Sequence, residues 1–442
     1  MSQSQPASGS FADRAHGALL GLAVGDALGT TLEFTQRDST PHHTEMIGGG
    51  PFRLEPGVWT DDTSMALCLA ENLLAAGEVA PRDLMGRFIG WWRRGRNSVT
   101  GSCFDIGNTT RAALERFERT DNPLAGDTSA PAAGNGSLMR LAPVALFYCD
   151  DRAAAGRAAR LQSRTTHATP ECLDACEAFA LLLVDALQGA EKDSVLADQI
   201  TGFSGQVGEI MAGRWRGKPR DGISSSGYVA HTLEAALWAV SQASSFEEAI
   251  VLAINLGDDA DTVGAVTGQL AGALWGASAI PPRWLEQLAW RDRLEATARA
   301  LLQKSAEGRG LAAFLQPHDG PEDSPGWLHQ VAQGRWDAVP ADLAYDDSVV
   351  FAHLLNGYAM AERLGFEHAS KVAHAALAIY RDTGAWSGSA VELWITLFFQ
   401  HRADRFTVML DAPEPQPHLD ELCRAVRRQL VAGVIWPEGM AA

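Results

Sequence analysis

The chain is poor in the features that mark secreted, membrane-spanning or nucleic-acid-binding proteins. Six cysteines (Cys68, Cys103, Cys149, Cys172, Cys176, Cys423) are scattered through 442 residues. They form no C-x-x-C pair with a matching second half, which argues against a zinc site and for reduced, mostly buried thiols. Cys172 and Cys176 lie four apart, as two positions on one helix face do. The N-terminus, MSQSQPASGSFADRA, lacks a basic stretch followed by an apolar core, so no secretory signal is read and a cytoplasmic location is expected. Cations are in deficit: 36 basic residues against 54 acidic ones leave a net charge of -18. That field repels polyanions and anionic lipids and excludes a general nucleic-acid or membrane-surface binder.

One charge-free run, residues 262–280, has the length of a membrane span. It carries Gly264, Gly268, Gly272 and Gly276 plus Gln269 where a lipid-facing helix would carry Leu, Ile or Phe, and is read as a buried soluble helix. Period-two runs rich in Val, Ile and Thr are scarce, whereas AALERFERT and CEAFALLLVDAL repeat apolar residues at three and four. The pattern predicts an all-α fold.

The organisation expected is a flexible tail (1–10), a helical domain (11–305), a linker (306–330) around the Pro-, Gly- and acid-rich QPHDGPEDSPGW, and a smaller helical domain (331–442) of unassigned role. His353, His368, His374 and His401 in that last part lie on apolar-patterned helices without tight ligand spacing, and read as ordinary half-buried histidines. Within the first domain Gly17, Gly21, Gly25 and Gly29 repeat every four residues, as do Gly264, Gly268, Gly272 and Gly276. Each glycine inside a helix costs about 1 kcal/mol relative to alanine, so two such series call for close backbone approach. The expectation is that the two helices lie at the centre of the bundle against each other, bringing the acids around Asp26 and Glu33 near those around Asp259.

What is present in concentrated form is carboxylate beside hydroxyl. GVWTDDTSM (57–65) places Thr60, Asp61, Asp62 and Thr63 side by side, and GDDADTVGA (257–265) places Asp258, Asp259, Asp261 and Thr262 likewise, each ahead of a helix-like run. Helix capping explains either cluster alone. Together they form a set of hard oxygen ligands suited to Mg²⁺, Mn²⁺ or Ca²⁺. An EF-hand is excluded, because GDDADTVGAVTG lacks the closing bidentate acid.

GALLGLAVGDALGTTLEF, GVWTDDTSMAL, GNGSLMRLAPVAL, the TH of TTHATPE, SSGYVAHTLEAALWAV and INLGDDADTVGAVTGQLAGALWG occur in the order found in the ADP-ribosylglycohydrolase family, which the chain resembles over residues 11 to about 300. The resemblance implies an all-helical ADP-ribosylhydrolase with a binuclear Mg²⁺ or Mn²⁺ site. Thr60, Asp61 and Asp62 match its first metal motif, and Asp259, Asp261 and Thr262 its second. Asp258 stands where the family usually has glycine, as an outer-shell acid or a first-turn charge. Glu33 matches a family glutamate near the metals.

On this basis Asp62, Glu33 and Asp261 are the expected catalytic acids, with Asp62 or Glu33 handling the proton. GNGSLMR is read as a helix start whose Gly136, Ser137 and Leu138 N–H groups hold a pyrophosphate, with Asn135 and Met139 in the same substrate-binding stretch. His167, ahead of a Thr169 cap and Pro170, is expected to hydrogen-bond a phosphate or ribose, or to be structural. Tyr228 is expected to stack on adenine or to pack in the core, and Asp105 to contact the distal ribose. The implied substrate is an ADP-ribosylated protein with the sugar on arginine, as in the family's bacterial members. Serine-linked ADP-ribose, O-acetyl-ADP-ribose and a modified nucleic-acid end stay open as alternatives. Two further readings are an immunity-type protein that covers an ADP-ribosyltransferase and a binder of free ADP-ribose.

Overall fold

The computed structural model describes residues 9–197, 202–203 and 205–315, with side chains as far as residue 305. Fourteen α-helices occur there: α1 (Phe11–Gly29), α2 (Asp61–Ala76), α3 (Pro81–Arg94), α4 (Asn108–Thr120), α5 (Ala142–Phe147), α6 (Arg152–Arg164), α7 (Pro170–Leu187), α8 (Lys192–Val195), α9 (Gly205–Met211), α10 (Val229–Gln242), α11 (Phe246–Ile254), α12 (Ala260–Trp275), α13 (Pro282–Leu285) and α14 (Arg291–Leu315). Among the described residues there are isolated β-bridges but no strands, as the apolar spacing predicts.

The two glycine series meet. A Cβ on Gly17, Gly21, Gly25 or Gly29 would lie 2.0–2.3 Å from the carbonyl oxygen of Gly272, Gly268, Gly264 or Ala260, respectively. Helices α1 and α12 therefore run antiparallel, backbone against backbone, at the centre of the fold. Both are buried along nearly their whole length. Close approach gives the dispersion contacts that offset the intrinsic cost of glycine in a helix. At one end of this seam Asp13 closes the joint, accepting from Ser278 N (2.9 Å) and Ser278 Oγ (2.7 Å). The antiparallel arrangement sets the C-terminus of α1 beside the N-terminus of α12 at the other end.

Residues 262–280 prove to be most of buried α12, its end at Gly276 (φ +84°) and the short turn beyond. No described helix is long and apolar enough to cross a membrane. Cys172 and Cys176 are both buried on α7, and the five cysteines among the described residues are free thiols. Helix α14 continues to Leu315, so the first ten residues of the expected linker are helical. Its apolar and alanine-rich stretch, GLAAFL, extends the helical spacing past residue 305. The remainder of that linker, the region 331–442 with its histidines, and residues 1–8 of the expected tail lie outside the described residues.

Candidate functional site

The acidic clusters occupy the two helix starts that the seam brings together, and capping does not account for them. Thr60 is the N-cap residue of α2 and Asp259 that of α12, yet neither side chain makes a capping hydrogen bond. The end of α2 is held instead by Asp26 from α1. Its Oδ1 accepts from Thr60 N (2.8 Å) and Thr60 Oγ1 (2.9 Å), and its Oδ2 from Thr63 N (3.1 Å) and Thr63 Oγ1 (2.7 Å). A carboxylate offers about four acceptor positions, so Asp26 is fully engaged. Thr60 Oγ1 in turn lies 3.3 Å from Asp62 Oδ2 and 3.3 Å from Asp261 Oδ2, the latter 201 residues away in sequence.

Two groups of carboxylates result, Asp26–Asp62–Asp261 and Glu33–Asp259–Asp261, each with ligand oxygens within 4.8 Å of one another and with Asp261 in common. Burial, the largest cause, pushes Asp105, Asp259 and Asp261 up to about 7. It lifts Asp26 to about 6 against the four hydrogen bonds that favour its charged form. Asp61, Asp62 and Glu33 are pushed well above the ordinary carboxyl range by burial and by the charges of their acidic neighbours. Asp62 Oδ1 and Glu33 Oε2 are buried without a hydrogen-bond partner. Orphaned oxygens among crowded, desolvated carboxylates are the environment a hard divalent cation fits, and this cluster could hold a metal ion.

Asp61 is buried and electrostatically close to Asp105 and Asp261, although it belongs to neither group. Thr262 is buried beside them, its backbone N–H donating to Asp261 Oδ1 (2.8 Å). Asp105 sits in the left-handed region (φ +58°) on the loop before α4 and lies beside Asp261. Asp258 is exposed, also left-handed (φ +55°), and precedes the N-cap, so it is neither a first-turn charge nor part of the two groups.

The stretch around GNGSLMR corrects one expectation. It is a series of turns, and the helix begins only at Ala142, with Pro143 in its first turn. Of the three N–H groups expected to face a pyrophosphate, that of Leu138 donates to Asn135 O (2.8 Å). Leu138 and Met139 are buried in the core. Ser137 Oγ is paired with Ser163 Oγ at 2.8 Å. These side chains anchor the loop, with help from Gln162 Nε2 on Ser137 O (2.9 Å) and Gln269 Nε2 on Met139 O (2.7 Å). Asn135 is turned to the acids: its Nδ2 donates to Asp259 Oδ2 (2.6 Å) and Thr232 Oγ1 (2.8 Å).

His167 and Tyr228 flank the same loop. A Cβ on Gly136 would lie 3.1 Å from His167 Nε2, and Gly134 pairs with Tyr228 in a β-bridge. Thr169 caps α7 as expected, accepting from Cys172 N (3.2 Å). Tyr228 is half-buried, edge-on to His231 with ring centroids 5.0 Å apart.

Arg140 is the residue whose role the sequence did not suggest. It is fully buried, stacked 4.5 Å from the Phe88 ring centre, and desolvation brings its guanidinium down to about 10. It donates to Gln162 Oε1 (2.8 Å) and to Thr166 Oγ1 (2.9 Å), and Thr166 Oγ1 lies 2.8 Å from His167 Nδ1. Arginine cannot accept, so the buried Thr166 hydroxyl must find its own acceptor, and His167 Nδ1 is in reach. The imidazole is thereby set with its proton on Nε2, toward the Gly134–Gly136 turn. Burial and then the Arg140 charge push it down to about 3, so it stays neutral. The signal was legible only as a lone arginine inside an apolar run, SLMRLAPVAL.

Comparison with known proteins places these features in context. The family model for ADP-ribosylglycohydrolase matches residues 7–310. The chain is 48% identical over 303 residues to ADP-ribosylarginine hydrolase Tri1 of Pseudomonas putida (strain GB-1), covering 69% of this chain and 81% of that protein. It is 34% identical over 284 residues to the ADP-ribosyl-[dinitrogen reductase] glycohydrolase of Rhodospirillum rubrum, covering 62% and 90%. A solved structure titled ADP-ribosylglycohydrolase-related protein complex superposes with a TM-score of 0.61 at 46% identity, covering 67% of this chain and 99% of that one.

Proposed function

The chain belongs to the ADP-ribosylglycohydrolase family, and we propose that it hydrolyses the N-glycosidic bond between ADP-ribose and an arginine side chain of a modified protein. The observation that carries the reading is the convergence of Thr60, Asp62 and Asp261 at one buried point from distant parts of the chain. The names of the similar proteins support arginine as the acceptor.

The two carboxylate groups that share Asp261 suit two Mg²⁺ or Mn²⁺ ions; Thr60, Asp61, Asp62, Asp259, Asp261 and Thr262, which match the family's metal motifs, would hold them, with Asp26 fixing Thr60 from behind. Bound there, such ions neutralise the acids and supply Lewis acidity to the distal ribose. Glu33 Oε2 or Asp62 Oδ1, neither with a hydrogen-bond partner in the protein, is the atom to take a proton from the attacking water as the bond from the anomeric carbon to the guanidinium breaks. The proton delivered to the leaving nitrogen completes the balance. Asn135, Gly136, His167 Nε2–H and the Tyr228 ring receive the ADP portion, and Asp105 the distal ribose.

The test compares release of ADP-ribose from arginine-linked and serine-linked protein substrates with Mn²⁺ or Mg²⁺ present. Release from the arginine-linked substrate alone supports the reading. Release from the serine-linked one alone transfers the site to another acceptor.

A further inference from the structure

Three large hydrophobic side chains stand exposed among the described residues: Trp290, Phe34 and Ile47. Trp290 has partners, lying edge-on to Trp59 (5.3 Å) and under the Arg293 guanidinium (4.6 Å). Phe34, 70% exposed, and Ile47, 63%, belong to segments packed together, since Thr31 Oγ1 donates to Gly48 O (2.9 Å). Phe34 immediately follows Glu33, and Phe104 immediately precedes Asp105. Phe52 joins them, with ring centroids 6.3 Å from Phe34 and 5.3 Å from Phe104. The three rings form a ridge tied at both ends to carboxylates that converge on Asp261.

The backbone holds Phe34 at a cost. Its φ is +57°, a region disfavoured for a bulky residue, and the conformation is kept by its N–H donating to Asp258 O (2.7 Å). Burial of the ring cannot be the compensation, because the ring faces solvent. Strain retained at the rim of a site points to use there.

We propose that the Phe34–Phe52–Phe104 ridge is the acceptor platform, on which the guanidinium-bearing segment of the modified protein rests. This rests on the arginine-linked reading above. The chemistry of the rim selects the occupant: the aromatic faces take a flat cation by stacking, and the neighbouring Glu33 and Asp105 offer it carboxylate oxygens. Arginine meets both requirements, stacking its plane on a ring while its edge donates to carboxylate.

The test measures kcat and KM on an arginine-ADP-ribosylated protein, and the Kd of free ADP-ribose, for wild type, Phe34→Ala and Phe34→Tyr. The expectation for Phe34→Ala is a roughly five- to thirtyfold fall in kcat/KM, the size of a partly desolvated cation–π contact. ADP-ribose affinity should be unchanged, because the free product has no acceptor, and Phe34→Tyr should recover near wild-type kcat/KM. A parallel loss of ADP-ribose affinity, or an unchanged kcat/KM with an active wild type, overturns the platform while leaving the hydrolase reading intact. A wild type that releases no ADP-ribose from this substrate removes both.

Discussion

Thr60 Oγ1 lies 3.3 Å from Asp261 Oδ2 although the two residues are 201 positions apart. The contact exists because α1 and α12 are pressed together through glycine, which fixes where the start of α12 meets the start of α2. The seam and the acid cluster are therefore one construction, and disturbing the first should disturb the second.

Gly25→Ala would place a Cβ 2.0 Å from Gly264 O, inside the backbone of the partner helix. Overpacking against backbone should destabilise the protein by about 3 kcal/mol or more. Gly86, exposed on α3 with nothing within 4 Å of an added Cβ, is the control. Gly86→Ala should stabilise by about 0.5–1 kcal/mol through helix propensity. Urea midpoints of the two variants check the contrast.

Asp26 is expected to act through Thr60 and Thr63. Asp26→Asn replaces one of two oxygens, each now accepting two hydrogen bonds, by an N–H₂ group that cannot accept. Mn²⁺ affinity measured by calorimetry should fall about 10–100-fold, the usual effect of removing an outer partner of a metal ligand.

The pH dependence of the metal-free protein has a definite sign. Asp105, Asp259 and Asp261 keep their protons up to about pH 7 in the folded state, whereas in the unfolded chain carboxyls release them near 4. The folded state then binds more protons across that window, so stability falls as pH rises from about 4 to 7. In chelator, Tm should drop over this range. Added Mg²⁺ or Mn²⁺ should restore it most at the alkaline end, where the carboxylates are free to bind. A chelated Tm that rises with pH across the window would contradict the assignment.

Thr166→Val keeps shape but removes the hydroxyl between Arg140 and His167. ADP-ribose affinity should fall roughly three- to tenfold, the size of one ordinary hydrogen bond. The ¹⁵N spectrum of wild-type His167 should show the proton on Nε2, and the variant should lose that preference. A wild-type proton on Nδ1 would refute the orientation argued here.

Much of this site could be read before any coordinates. Four-residue glycine spacing carries the demand for backbone contact, and acids beside hydroxyls ahead of two helices carry the ligand chemistry. Less legible was what holds these groups. Asp26 reads as one more acid near the cluster, because a carboxylate filled by four donors looks in sequence like one awaiting an ion. Arg140 reads as part of a motif, because burial of a charge is a property of the surrounding fold. GNGSLMR looked like a helix start, but the helix begins only at Ala142, with Pro143 in its first turn, and the preceding residues form turns that seat Leu138 and Met139 in the core. The aromatic ridge joins Phe34, Phe52 and Phe104, whose proximity only the loop conformation creates.

The most direct measurement is Mn²⁺ binding together with ADP-ribose release from an arginine-ADP-ribosylated protein, for wild type, Asp61→Asn and Asp259→Asn, each with and without chelator. If the two acidic clusters are one catalytic centre, wild-type release requires metal, and either substitution weakens Mn²⁺ binding and reduces release by orders of magnitude. Full release in chelator, or a variant in one cluster that binds metal and turns over like wild type, would contradict that claim.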